Sequence, residues 1–169
     1  MSGHSHWAGI KHKKALNDAA RSKNFSKLLK AVSIAARDEP NPDMNITLKG
    51  AISRARAGNV PADNIQKAID KASSVAENLV SLTFEAYGAG GIAILIEAVT
   101  DNHKRTVSEV KSVINKRGGK WAKEGSVLWA FTKDEENNWT PNFPQEITED
   151  DAKKLNNLVT ALEDHEDVQ

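Results

Sequence analysis

The chain has 169 residues, of which 39% are hydrophobic, and its 23 basic and 23 acidic side chains give a net charge of zero. This length holds one ordinary domain or two small ones, and the absence of cysteine excludes disulfides, cysteine-ligated zinc and a thiol nucleophile. No apolar run approaches the ~18 residues of a membrane span and no secretory signal is visible, so we predict a cytoplasmic protein without a membrane partner.

The zero net charge conceals an uneven distribution along the chain. Residues 1–76 carry 13 basic and 6 acidic side chains, whereas residues 134–169 carry 2 basic and 11 acidic ones. With a Debye length of about 8 Å at physiological salt, the acidic end neutralises the basic end only if it folds onto it. The N-terminal part is therefore predicted to attract polyanions.

The chain opens with a strongly basic stretch, in which the first 37 residues contain eight basic side chains and one acid. Trp7 and Ile10 are costly to leave in water, so we expect the arm at residues 2–14 to dock on its own domain, on a partner or on a stack of bases. A solvated basic tail is the alternative. From residue 15 to residue 37 the spacing predicts a helix with a basic face and an apolar face, which suits it to following phosphates.

These features make the basic stretch a candidate nucleic-acid site. Lys and Arg supply charge for phosphates, whereas Trp and His can stack on nucleotides or form hydrogen bonds with them. An H-x-H metal site is disfavoured because no acid accompanies the arm histidines, so neither a metal nor another cofactor is predicted. The candidate residues in this region are His4, Ser5, His6, Trp7, Lys11, His12, Lys13, Lys14, Arg21, Lys23, Lys27 and Lys30.

Two shorter helices are predicted next. Prolines after residue 39 end the first helix, Asp43 or Asn45 can cap the second, and Pro61 opens the third. Residues 1–76 are thus predicted to form a basic arm followed by a small three-helix bundle.

The pattern changes after residue 76, where alternating residues predict strands and a glycine-rich turn at 88–91 predicts a hairpin. This turn lacks the lysine and the following helix of a phosphate loop. The order β-β-α-β-α predicts an α+β domain over residues 77–169, with the helices on one face of a small sheet. The predicted elements are strands at 79–87, 92–99 and 126–132 and helices at 104–116 and 150–164.

The start of the first of these helices is a further candidate site. Lys104 and Arg105 fall in its first turn, beside free backbone N–H groups, a position suited to phosphate. A helix cap at Asp101 or Asn102 with solvated charges is an equally good interpretation.

No catalytic pattern stands out. The sequence shows no Ser/His/Asp order, paired-carboxylate signature or metal-ligand spacing, so we predict neither an enzyme nor a small-molecule substrate. Two classes of function stay open: a nucleic-acid-binding regulator, and a protein-interaction adaptor whose charged ends meet partner surfaces. The charge distribution favours the regulator.

Four segments, in order, closely resemble signature segments of the YebC family: GHSHWAGIKHKKA from residue 3, NVPADNIQKAI from residue 59, YGAGGIAILIEAVTDN with KRTVSEVK from residue 87, and GSVLWAF from residue 125. The resemblance covers nearly the whole chain. It implies a regulator of gene expression, because family members are named as transcriptional regulators and have been described as translation factors acting at the ribosome. Of these two, we favour a ribosome-associated translation factor that relieves stalling.

The chain departs from the family pattern at two places. Relatives usually carry a third α/β domain between the segments near Phe131 and Trp139, so that domain is expected to be absent here. They also continue into a closing strand, so an unpaired sheet edge is expected.

Ribosomal RNA or the ribosome is the preferred partner, because no groove-reading module is recognisable and structured RNA offers unstacked bases. Transcriptional regulation through duplex DNA is the alternative.

Overall fold

The structure, a computed structural model, describes residues 18–75, 78–135 and 137–169. Its first half is helical, as predicted. Asn45 is the residue that caps the second helix, because its side chain accepts a hydrogen bond of 2.9 Å from the N–H of Leu48. The helices are α1 (Asp18–Ala36), α2 (Ile46–Ala57), α3 (Ala62–Asp70) and the single turn α4 (Ala72–Val75).

These helices enclose one apolar core. Val32 of α1 and Leu48 and Ala55 of α2 are completely buried, and Ile65 of α3 packs with them. The buried positions recur every three to four residues, so they lie on the faces that the sequence predicts.

The second half begins with the predicted hairpin. Strands β1 (Val80–Tyr87) and β2 (Ala93–Thr100) pair antiparallel along their full lengths, with Phe84 opposite Ile96. Helices α5 (His103–Lys116) and α6 (Glu149–Glu163) follow.

Both helices cover the same face of the hairpin. Val110 and Ile114 of α5 and Leu155 and Leu158 of α6 pack in one buried cluster with Phe84 of β1. The predicted α+β architecture is therefore confirmed, with a helical bundle and a helix-covered sheet as its two parts.

The position of the predicted third strand was wrong. The third strand of the main sheet is β3 (Lys120–Trp121), which pairs with β1 in the order β2-β1-β3. Residues 126–132 do not join this sheet, because the carboxylate of Glu85 accepts backbone hydrogen bonds from Gly125, Val127 and Leu128 and so holds them in a turn. A short helical turn follows, and then β4 (Phe131–Lys133) pairs with β5 (Trp139–Pro141) in a separate hairpin.

The prediction of an unpaired sheet edge was also wrong for the middle of β2. Residues after α6 turn back along this strand, so that Val99 donates to the carbonyl of Asp167 at 2.8 Å and Gln169 donates to that of Glu97 at 2.9 Å. Val168 is buried against the sheet, and this burial keeps the segment in place.

The β4–β5 hairpin connects the two parts of the molecule. Arg54 of α2 donates to the side chain of Asn138 at 2.7 Å, and Asn137 donates to Thr47 at 3.1 Å. Trp139 donates to Glu97 of β2 at 2.9 Å.

Across the described ranges, no helix combines the length and the apolar character that a membrane crossing requires.

Candidate nucleic-acid interface

The structure separates the predicted contact residues into three groups. His4, Ser5, His6, Trp7, Lys11, His12, Lys13 and Lys14, together with the side chain of Arg21, lie outside the described residues. The second group comprises Lys23, Lys27 and Lys30 of α1, which we call the lysine face. The third group, Lys104 and Arg105, lies at the start of α5.

The lysine face contacts the acidic end of α6. Lys27 donates to the carbonyl of Glu163 at 2.7 Å, and Lys23 donates to the carbonyl of Asp164. Lys30 lies 3.2 Å from a carboxylate oxygen of Asp167. The last carbonyls of a helix lack intrahelical partners and form its negative end, so the ammonium groups of Lys23 and Lys27 stabilise it.

Asp167 is the centre of the junction between the lysine face, α5 and the residues after α6. Its side chain is completely buried, and one carboxylate oxygen accepts hydrogen bonds from Thr106 at 2.8 Å and from Arg105 at 3.0 Å. Burial alone would raise the pKa of Asp167, but the hydrogen bonds from Thr106, Arg105 and Lys30 together lower the pKa below its ordinary value. The carboxylate is therefore charged at neutral pH and is neutralised by the protein's own cations.

Lys27 is the most enclosed member of the lysine face. Its side chain is only 9% exposed, and this burial, followed by repulsion from Lys23, lowers its pKa to about 8. The nearby charges of Glu163 and Asp164 offset part of this decrease. Lys27 is thus a structural contact between α1 and α6 and has little surface to offer to a phosphate.

At the start of α5, one predicted contact residue is paired within the protein and the other is exposed. Asn102 caps the helix by accepting a hydrogen bond from the N–H of Arg105 at 3.1 Å, and the Arg105 side chain turns to Asp101 and Asp167. Lys104 is exposed and has no ion pair within the described part of the chain. Of the two predicted residues in this turn, only Lys104 presents a free charge at the surface.

Glu109, His165 and Asp167 are the one described group of three side chains close enough to hold a metal ion. The ring of His165 is already engaged on both sides: Nε2 lies 2.9 Å from Glu109, and Nδ1 accepts the N–H of Asp167 at 3.1 Å. Arg105 neutralises the acids of the same group. This donor set does not fit a metal, because both ring nitrogens of His165 are engaged in hydrogen bonds and Arg105 already pairs with the two acids.

A second basic surface lies at the end of α5, and motif reading did not identify it. It consists of exposed side chains on the helix, on the turn that follows and on the edge strand β3. The sequence signal was available, because residues 111–123 contain five basic side chains and no acid. We call this group, Lys111, Lys116, Arg117, Lys120 and Lys123, the turn surface.

The protein thus has an α+β fold in two parts. Among the described residues, its polar clusters are ion pairs and basic surfaces. Comparison with known proteins identifies the group to which it belongs. Residues 5–75 match the family described as the TACO1/YebC protein N-terminal domain, and residues 79–136 match the TACO1/YebC second and third domain. The chain belongs to the TACO1/YebC family.

Individual relatives agree with this assignment. The chain is 47% identical over 135 residues to a probable transcriptional regulatory protein of Koribacter versatilis and 43% identical over 137 residues to one of Brachyspira hyodysenteriae. These alignments cover 79% of this chain but 54% and 56% of the relatives, so the chain spans about half the length of the curated relatives it matches.

A solved structure supports the fold. The crystal structure of a conserved hypothetical protein from Aquifex aeolicus is similar with a TM-score of 0.78 and 32% sequence identity, over 97% of this chain and 93% of that one.

Proposed function

We propose that the protein is a non-enzymatic, nucleic-acid-binding regulator of gene expression that acts at the ribosome in the cytoplasm. The observation that carries the proposal is the surplus of positive charge in the segment that matches the family's N-terminal domain. Residues 5–75 contain 13 basic and 6 acidic side chains. The relatives are named as transcriptional regulatory proteins, and regulation of gene expression commonly requires contact with a nucleic acid.

The proposed contacts are the basic N-terminal residues up to Arg21, with Lys104 as a separate contact. Lys23, Lys27 and Lys30 stay predicted contacts from the sequence, but in this fold their ammonium groups bind the end of α6 and the residues after it. They can reach phosphates only if residues 163–167 move away. We also propose that residues 1–76 and 77–169 are two domains and that the family's third domain is absent between β4 and β5.

RNA is favoured over duplex DNA by the position of the lysine face. A major-groove reader needs a helix whose polar face is free to enter the groove. The basic face of α1 lies against α6 instead, and so it is not presented in that way. Structured RNA requires only a basic surface with side chains that contact phosphates, sugars and unstacked bases. DNA binding is the second candidate, and the names of the relatives support it.

A competition titration tests the proposal. The protein is titrated with purified ribosomes and, separately, with promoter duplexes at about 150 mM salt, where non-specific DNA binding is already weak. We expect saturable binding to ribosomes and weaker binding to every duplex. Sequence-specific binding to a duplex that ribosomes cannot displace would replace the translation proposal with the transcriptional one, and no binding to either polyanion would contradict both.

A further inference from the structure

The turn surface is a concentration of charge that the fold leaves open. All five of its cations are exposed, and the nearest acids along the chain are Glu109 and Glu124. Glu109 bonds to His165, and Glu124 belongs to the exposed loop after β3. Among the described residues, none of the five cations forms an ion pair with an acid.

The turn that carries this surface has a fixed shape. Gly118 has a φ of +78°, a conformation that glycine adopts without strain, and the N–H of Gly119 bonds to the carbonyl of Ile114 at 2.8 Å. A Cβ atom at Gly119 would lie 2.8 Å from the Leu158 side chain, so the turn is pressed against α6. The chain therefore reverses immediately after α5 and enters β3.

This reversal brings the helix cations and the strand cations together. Lys120 lies in β3 opposite Tyr87, on the outer edge of the main sheet. Lys111 of α5 extends over the ring of Trp121, with its nitrogen 6.0 Å from the ring centroid. Ala122 is held by a hydrogen bond of 2.9 Å to the carbonyl of Glu85, which fixes the chain just before Lys123. The surface is thus supported on both sides of the turn by regular structure.

Stabilisation of α5 explains the presence of only some of these five cations. Lys116 and Arg117 lie at the end of α5, where cations interact favourably with the helix dipole. Lys120 and Lys123 lie beyond the helix and receive no such benefit. Five like charges within 13 residues repel one another, and a polyanion relieves that repulsion.

We infer that the turn surface binds the phosphodiester backbone of structured RNA. The inference rests on the proposed function and adds to it a contact site outside the basic N-terminal stretch. The five cations are spread over the end of α5, the turn that follows and the strand β3, so the surface suits contacts along a phosphate backbone without base recognition. Trp121 is half-buried against Phe84, with ring centroids 5.3 Å apart, so its ring packs on the core.

Charge reversal in the full chain tests this assignment. The variant K120E/K123E changes two cations that are independent of the α5 dipole. The control K153E/K154E makes the same change in net charge on α6, where Asp150 and neighbouring acids already repel a polyanion. Binding to ribosomes and to a duplex DNA of random sequence is measured for both variants and the wild type between 50 and 200 mM salt, after thermal melts show that each protein is folded.

We expect K120E/K123E to weaken ribosome binding by about tenfold or more and to lower the slope of log K against log salt by about 1.5–2, whereas the control stays within about twofold of the wild type. Wild-type binding with an unchanged K120E/K123E variant would overturn this inference and leave the proposed function intact. Stronger loss on duplex DNA than on ribosomes would overturn the RNA assignment. A wild type that binds neither polyanion would overturn the proposed function and the inference with it.

Discussion

The lysine face and the turn surface are both basic, but only one of them is neutralised within the molecule. The ammonium groups of the lysine face bind residues 163–167, which lie more than 130 positions later in the chain. The cations of the turn surface have no acidic partner within the described ranges. A basic stretch therefore identifies an available polyanion site only when the location of the acids in the fold is also known.

Removal of the Asp167 carboxylate should disrupt the contact between the lysine face and the residues after α6. Replacement of Asp167 by alanine leaves Lys30, Arg105 and Thr106 around a site without its anion. We expect a loss of about 2–3 kcal/mol in the free energy of unfolding, at the low end for a buried ion pair because Lys30 and Arg105 stay partly solvated. Urea unfolding measures the effect.

Asp164→Ala is the matched control for this variant. Its exposed side chain lies three residues away, and only its backbone carbonyl accepts a bond from Lys23. This change should stay within about 0.5 kcal/mol of the wild type. Equal effects of the two substitutions would mean that the junction contributes little and that the lysine face is open after all.

Much of the fold could be predicted from the sequence, because its signals are local. The apolar spacing located α1 to α3, the glycine-rich turn located the β1–β2 hairpin, and Asn102 marked the start of α5. The position of β3 could not be predicted in this way. It depends on the carboxylate of Glu85, which withdraws residues 125–128 from the sheet and acts across about 40 positions of sequence.

The candidate site was less predictable for the same reason. Helical periodicity correctly grouped Lys23, Lys27 and Lys30 on one face, but periodicity contains no information on what covers that face. The uneven charge distribution indicated that the two ends could meet. Only the packing of α6 shows that they do, and the assignment of these lysines to nucleic-acid binding stays a prediction.

The turn that takes the place of the predicted third strand can be tested through Glu85, whose side chain holds residues 125–128. Its buried carboxylate accepts three backbone N–H bonds, and although burial alone would raise the pKa of Glu85, those bonds lower it overall. Glu85→Gln keeps the shape but places an NH2 group against backbone donors, so we expect a loss of about 1–2 kcal/mol at pH 7. Glu124→Gln, an exposed change in the same loop, is the control.

The pH dependence of this effect has a definite sign. Because the folded-state pKa of Glu85 is below its unfolded value of about 4.3, its contribution is present above that pH and is lost as the pH falls through the folded value. The stability difference between the wild type and Glu85→Gln should therefore shrink below about pH 4. A difference that grows on acidification would contradict a charged Glu85 in the folded protein.

Lys27 differs from the cations of the turn surface, because burial disfavours its charged form. Lys27→Met should change the stability at pH 7 by less than about 1 kcal/mol, since the lost bond to Glu163 is offset by removal of a buried ammonium. The folded-state pKa is lowered from 10.5 to about 8, so the unfolded chain binds more protons in that interval. The wild type should gain stability relative to the variant as the pH rises from 8 to 10, and a flat difference between these values would show that Lys27 is solvated.

The smallest expected effect concerns nucleic-acid binding by the lysine face itself. K23Q/K30Q removes two charges that already bind residues 163–167, so ribosome affinity should change by less than about twofold, which is about 0.4 kcal/mol. K120Q/K123Q removes two charges that are free, so it should lower the slope of log K against log salt by about 1.5–2. Both are measured in one titration series at several salt concentrations, with folding checked by thermal melts because Lys30 supports Asp167. If K23Q/K30Q lowered the ribosome affinity tenfold or more and also reduced the slope of log K against log salt, residues 163–167 would have to leave α1 when nucleic acid binds. The lysine face would then belong to the interface.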